Sequence, residues 1–201
     1  MMPIRATLLR TPEMALRAIA GAVAPLVCAL AMFALVGAGT ADARDLTEAE
    51  SASLAQTVSS FDAAMRANDY AGVVKIMPPR ILEHIAKGAG VEVDVLRKIV
   101  IEQMAKALAA VKLVSFGMDL AKAEHRELAD GTPYVLIPTE VVMDTGEGKT
   151  AVRAHTLALM DADVWYLLRV SDQQQLTILR QVYPEYAGVE FPSGSMEALK
   201  D

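Results

Sequence analysis

The chain has 201 residues, 53% of them hydrophobic and 22% charged, with a formal net charge of −6 at pH 7 and one cysteine. Its Lys and Arg are scattered, so it offers no basic stripe to a phosphate backbone, and nucleic acid is excluded as a partner. One cysteine makes no internal disulfide, and three His far apart in sequence show no metal-ligand spacing, so no metal or cofactor is expected.

Residues 1–43 read as an export signal. Arg5, Arg10 and Arg17 give a basic start, residues 18–41 are uncharged and apolar, and Ala41-Asp42-Ala43 supplies a small-x-small pattern before Arg44. Cleavage there implies a periplasmic or secreted protein. The alternative is retention of residues 18–41 as a membrane anchor, because the run is long enough to span a bilayer; Pro25, Gly37 and Gly39 interrupt it and favour cleavage. Val27 precedes Cys28 where a lipoprotein signal needs a small residue, so lipidation is not expected and cleavage leaves no thiol. The remainder suits one domain burying roughly 68–70% of its unfolded surface. Residues 44–184 are expected to form a single α+β domain and residues 185–201 an irregular tail.

Thr47-Glu48-Ala49-Glu50 is a capping box, and Leu54, Val58, Phe61 and Met65 then mark one face of a long helix. Asn68-Asp69 interrupts it. Tyr70, Val73, Val74 and Met77 predict a short second helix ended by Pro78-Pro79, and a third runs from Pro79 to a stop at Gly88. Asp94 caps a fourth, with Leu96, Ile99, Val100, Ala107 and Leu108 facing inward. Beyond the strands, Ser171-Asp172-Gln173-Gln174 starts a helix carrying Leu176, Leu179, Val182 and Tyr183 on one side and ending at Pro184; Phe191 is a candidate tether for the tail.

Between these helices lie four runs rich in Val, Leu, Ile, Thr and aromatics: residues 112–128, 133–144, 149–160 and 164–170. Their connections are of hairpin length, too short for parallel crossovers, so an antiparallel meander is expected. The fold class is therefore α+β: N-terminal helices packed on a curved four-stranded antiparallel meander, followed by a C-terminal helix. A turn with Gly146-Glu147 at its tip sets Glu140 opposite Arg153, Pro138 opposite His155 and Leu136 opposite Leu157. Three-residue turns elsewhere set Lys122 opposite Glu140, His155 opposite Arg169 and Leu157 opposite Leu167. One face then carries a charge ladder, Lys122, Glu140 and Arg153, with Trp165 on the same side. The other is apolar, holds Thr139, Thr156 and Tyr166, and is to be covered by helices. From the first strand it takes Asp119 and His125, or Met118 and Lys122 after a one-residue slip.

The phrase Ala63-Ala64-Met65-Arg66-Ala67-Asn68-Asp69-Tyr70-Ala71-Gly72-Val73-Val74, the Met77-Pro78-Pro79 step and the strand Val164-Trp165-Tyr166-Leu167-Leu168-Arg169-Val170 resemble the nuclear transport factor two-like superfamily over about residues 45–170. The resemblance implies a cone whose helices and curved sheet enclose a pocket, with dimerisation through the outer sheet face. It also implies, from the isomerase branch, a pocket Asp acting as base. The chain departs from the pattern by lacking an early hairpin between the helices and by adding the helix after Ser171.

Two functional expectations follow. In the first, the apolar pocket, with Thr139, Thr156, Tyr166, Asp119 and His125 as its polar groups, binds a small or lipid-like molecule in the cell envelope. Its outer sheet face, through Trp165, Leu157 and Leu167, meets a protein partner or a second copy of the chain. In the second, Asp119, with His125, serves a small-molecule isomerase, lyase or hydrolase. No oxyanion-stabilising group accompanies Asp119, which favours binding over catalysis. The His155, Glu140, Arg153 and Arg169 group reads as a solvated charge ladder, and His84 as an exposed helix residue.

Overall fold

The computed structural model describes residues 44–109, 111–146, 148–171 and 173–199. The export signal, the alternative anchor at residues 18–41 and Cys28 lie outside the described residues, none of whose helices is long and apolar enough to cross a membrane.

Helix α1 (Glu48–Arg66) opens on the capping box: Glu50 N–H donates to Thr47 Oγ1 at 3.2 Å and Thr47 N–H to Glu50 Oε2 at 2.8 Å. Arg44 adds an ion pair to Glu50 at 2.6 Å. Asn68 turns the chain at φ 56, and Asp69 caps α2 (Tyr70–Lys75) by accepting from Gly72 N–H at 2.9 Å. A Cβ at Gly72 would lie 2.5 Å from Asp69 Oδ2, so this cap needs glycine. Helix α3 (Pro79–Ala89) runs through Gly88, where a stop was expected, and ends at Gly90 with φ 69. In α4 (Val93–Ala109) Asp94 lies inside the first turn and pairs with Arg97 at 2.7 Å; Leu96 is buried, whereas Ile99 points outward.

The sheet is antiparallel and curled into a half-barrel. Its centre is β3 (Pro133–Asp144) against β4 (Lys149–Asp161), with Glu140 opposite Arg153, Pro138 opposite His155 and Leu136 opposite Leu157, the register read from the turn. Along the free edge of β3 run β1 (Lys112–Met118) and β2 (Glu124–Glu127). The expected unbroken strand over 112–128 is thus two strands, parted by a 3-10 turn at Leu120–Lys122. Pro138 supplies the reason. Its carbonyl accepts from Asp119 N–H at 2.9 Å on that edge, but it has no N–H to return, and the chain leaves the ladder there. Asp119 stabilises the departure by accepting from the N–H groups of Ala121 and Lys122 at 3.1 and 3.3 Å.

Along the other edge, β5 (Val164–Arg169) pairs with β4 one residue out of the expected register: Leu157 faces Leu168, Leu159 faces Tyr166 and Thr156 faces Arg169. The turn holds two residues instead of three, with Ala162 and Asp163 at φ 49 and 62. Both in the left-handed region is the signature of a type I′ hairpin, whose twist matches that of the strands. Helix α5 (Gln173–Val182) follows. The tail expected to be irregular returns to the sheet as β6 (Ser195–Leu199), paired with residues 149–153 of β4. Phe191 does act as a tether, stacked on Tyr186.

Each sheet face carries a packed core layer. Leu54 and Val58 of α1 pack on Val135, Ile137, Ala158, Trp165 and Leu167, and Trp165 Nε1 donates to the Glu50 carbonyl at 3.0 Å. On the reverse, Leu176, Leu179 and Val182 of α5, with Tyr183 and Tyr186, cover Leu136, Leu157 and Leu159. Tyr183 donates to Asp161 Oδ2 at 2.8 Å, and the Arg80 guanidinium lies 4.3 Å from its ring centre. The expected outer face is therefore a second core layer. Trp165, Leu157 and Leu167 are 2%, 0% and 3% exposed, and none of them forms an outer surface.

Candidate functional site

The concave side of the sheet leaves a cavity of about 360 Å³ between α1, α4 and the strands. Phe61 and Met65 come from α1, Met104 and Leu108 from α4, and Leu113 and Phe116 from β1. The wall is made by Thr139, Val141 and Met143 of β3, Val152, Ala154 and Thr156 of β4, and Leu167 and Arg169 of β5. Phe61 and Phe116 meet with ring centres 5.7 Å apart. Leu113 and Phe116 are three residues apart and would fall on opposite faces of a regular strand. A bulge shifts the register between Leu113 and Ser115, so Leu113 faces Met143 and Phe116 faces Val141, and both side chains enter the cavity.

Among the described residues, three polar side chains reach this cavity: Thr139, Thr156 and Arg169. Thr139 Oγ1 donates to the Ile137 carbonyl at 3.1 Å, and the two threonine hydroxyl oxygens are 2.8 Å apart. With the Thr139 proton committed to Ile137, Thr156 donates to Thr139, and the pair is satisfied within the sheet. Arg169 sits across from Thr156, is exposed, and donates through Nε to Ser171 Oγ at 2.8 Å. The sequence pattern places Thr139 and Thr156 on the pocket face, as found; a three-residue turn would set Arg169 on the other face opposite His155, and the two-residue turn brings it here instead.

The remaining expected site residues lie elsewhere. Asp119 is the cap of the 3-10 turn, with a side chain 41% exposed and Lys122 Nζ at 2.9 Å. The Lys122 ammonium holds its carboxyl below the usual aspartate range, the opposite of what a base poised near neutrality requires. His125 is opposite Val135 on β2 but exposed. Tyr166 packs into the layer beneath α5. Strand parity is the physical reason: residues 116 and 118 face the helices, the 3-10 turn resets the alternation, and odd positions face them only from Ala123 onward.

A second, more open groove of about 780 Å³ lies on the reverse of the sheet, between the 3-10 turn and the C-terminal segment. Its charges are mutually engaged. Arg153 pairs with Glu140 at 2.6 Å and with Glu197 of β6 at 2.9 Å, while Lys122 pairs with Asp119 in place of the expected Glu140. His155 Nδ1 is buried there without a partner among the described residues. His84 is exposed as expected, and no group of three or more His, Cys, Asp or Glu that could hold a metal occurs among the described residues. No protein family, no curated protein and no solved structure matches the chain.

Proposed function

We propose that the chain is an exported binding module of the cell envelope whose cavity beneath the sheet holds a small apolar molecule. The observation that carries this reading is the lining: apolar side chains from α1, α4 and four strands surround about 360 Å³, with the Thr139 hydroxyl bonded to the Ile137 carbonyl and the Thr156 hydroxyl to Thr139. That volume lies near the lower end of the ~300–1,000 Å³ range of small-molecule sites, which are mostly apolar with a few placed polar groups. Binding is favoured over chemistry because, among the described residues, no pair of titratable side chains converges on the cavity and Arg169 is the one charged residue that lines it. Helices laid on a curled antiparallel sheet also support the resemblance to the nuclear transport factor two-like superfamily. The basic, apolar and small-x-small pattern of residues 1–43 supports export, with the protein starting at Arg44.

Methionine methyl groups test the site directly. Met65, Met104 and Met143 line the cavity, whereas Met196 is 73% exposed on β6. Titration with 1-decanol, followed by NMR of methyl-labelled methionines, is expected to shift the first three saturably and leave Met196 unmoved. Ala154→Trp, which places an indole in the cavity, is expected to remove the shifts while retaining the circular dichroism of the folded chain. Uniform shifts of all four, or none, contradict the reading.

A further inference from the structure

We infer that the ligand is a single-chain amphiphile with an anionic head, and that Arg169 at the open end of the cavity binds that head. This inference rests on the cavity being the ligand site. Among the described residues, every other arginine is engaged by a carboxylate or a backbone carbonyl. Arg44, Arg66, Arg97, Arg126 and Arg153 pair with Glu or Asp, and Arg80 and Arg180 donate to the carbonyls of Val182 and Val189. Arg169 differs. Its Nε bonds the neutral Ser171 hydroxyl, and neither Nη group has a partner among the described residues. A guanidinium offers five donors in a planar fork that matches a carboxylate or phosphate at two points, and among the described residues nothing occupies either Nη group.

Position restricts what can meet that fork. Arg169 lines the cavity and is exposed, while Thr156, Val152 and Leu167 around it are 8%, 6% and 3% exposed, so the charge stands at the rim and the apolar walls lie below. The floor asks for no polar group, because the Thr139 and Thr156 hydroxyl protons are already donated. An apolar body with one anionic end satisfies both halves, and a neutral apolar molecule satisfies only the lower one. The chain itself is acidic, at −6, so attraction of an anion requires such a local cation rather than the overall field.

The test compares decanoate, decyl phosphate and 1-decanol by calorimetry at low salt, against the wild-type chain, Arg169→Gln and Arg153→Gln, the last altering the reverse face. A rim ion pair is partly screened by solvent, so decanoate is expected to bind about fivefold more tightly than 1-decanol. That preference should vanish in Arg169→Gln, persist in Arg153→Gln and shrink with added salt. A larger preference for decyl phosphate with the same Arg169 dependence supports the inference and assigns the head as phosphate. Equal affinities for decanoate and decanol, or a preference that survives Arg169→Gln, overturn the anionic head and leave the apolar cavity standing. Failure of all three compounds to bind overturns both.

Discussion

Asp119 shows how position reassigns a side chain that composition makes attractive. In sequence it is a carboxylate near an apolar strand; in the fold it accepts two backbone N–H groups and an ammonium at the lip of a 3-10 turn. Asp119→Ala is therefore expected to lower the melting temperature slightly by loosening that turn and to leave ligand affinity unchanged, measured by thermal denaturation and calorimetry; a loss of binding at full stability would return it to the site. Glu50 carries the clearest acid dependence. Its hydrogen bonds from Arg44 and from Thr47 bring it from the ordinary glutamate range to about 2. A carboxyl with a depressed folded value contributes stability above the unfolded value near 4.3 and loses it as pH falls toward about 2. Glu50→Gln should flatten the acid limb of a stability profile between roughly pH 5 and 2, and an unchanged slope would contradict the assignment. Tyr183→Phe removes the bond to Asp161 that ties α5 to β4, and is expected to cost about 1–2 kcal/mol in denaturant titrations.

Among the elements, legibility followed how local the determining signal is. Helix α1 and the register of β3 with β4 could be read because the capping box lies within four residues and because Gly146 and the Glu140, Arg153 charges agree on one alignment. The β4 to β5 turn could not, since Ala162 and Asp163 lack the Asn-Gly or Gly signature that positive φ favours. That single residue of register moved Trp165, Leu167 and Arg169 from one face to the other, bringing the arginine to the cavity. The left-handed Ala162 carries strain of about 1–2 kcal/mol, so replacing Ala162-Asp163 by Asn-Gly should stabilise the chain by about 1 kcal/mol and raise its melting temperature by roughly 2–4 °C. No change or a decrease would mean the turn is of another type. Strand β6 was illegible for a different reason. Its pairing with residues 149–153 is long-range, and Ser195–Leu199 is almost wholly exposed, so no hydrophobic alternation announces it.

For the whole molecule, the class was evident from the order of patterns, helices then strands then helix, and the cavity followed from an apolar sheet face that helices had to cover. What could not be read was the second cover. Helix α5 and the aromatic segment at Tyr183 and Tyr186 cover Leu136, Leu157 and Leu159, turning an expected interface into core; the groove beside them on the reverse face carries paired charges, whereas the concave cavity is lined mostly by apolar side chains. Occupancy of that space is most directly read by native mass spectrometry of the protein isolated from a cell envelope without detergent. The expected result is a chain beginning at Arg44 with additional small-molecule mass that Ala154→Trp eliminates; a bare polypeptide in both proteins, or equal added mass on both, would contradict a ligand-holding cavity.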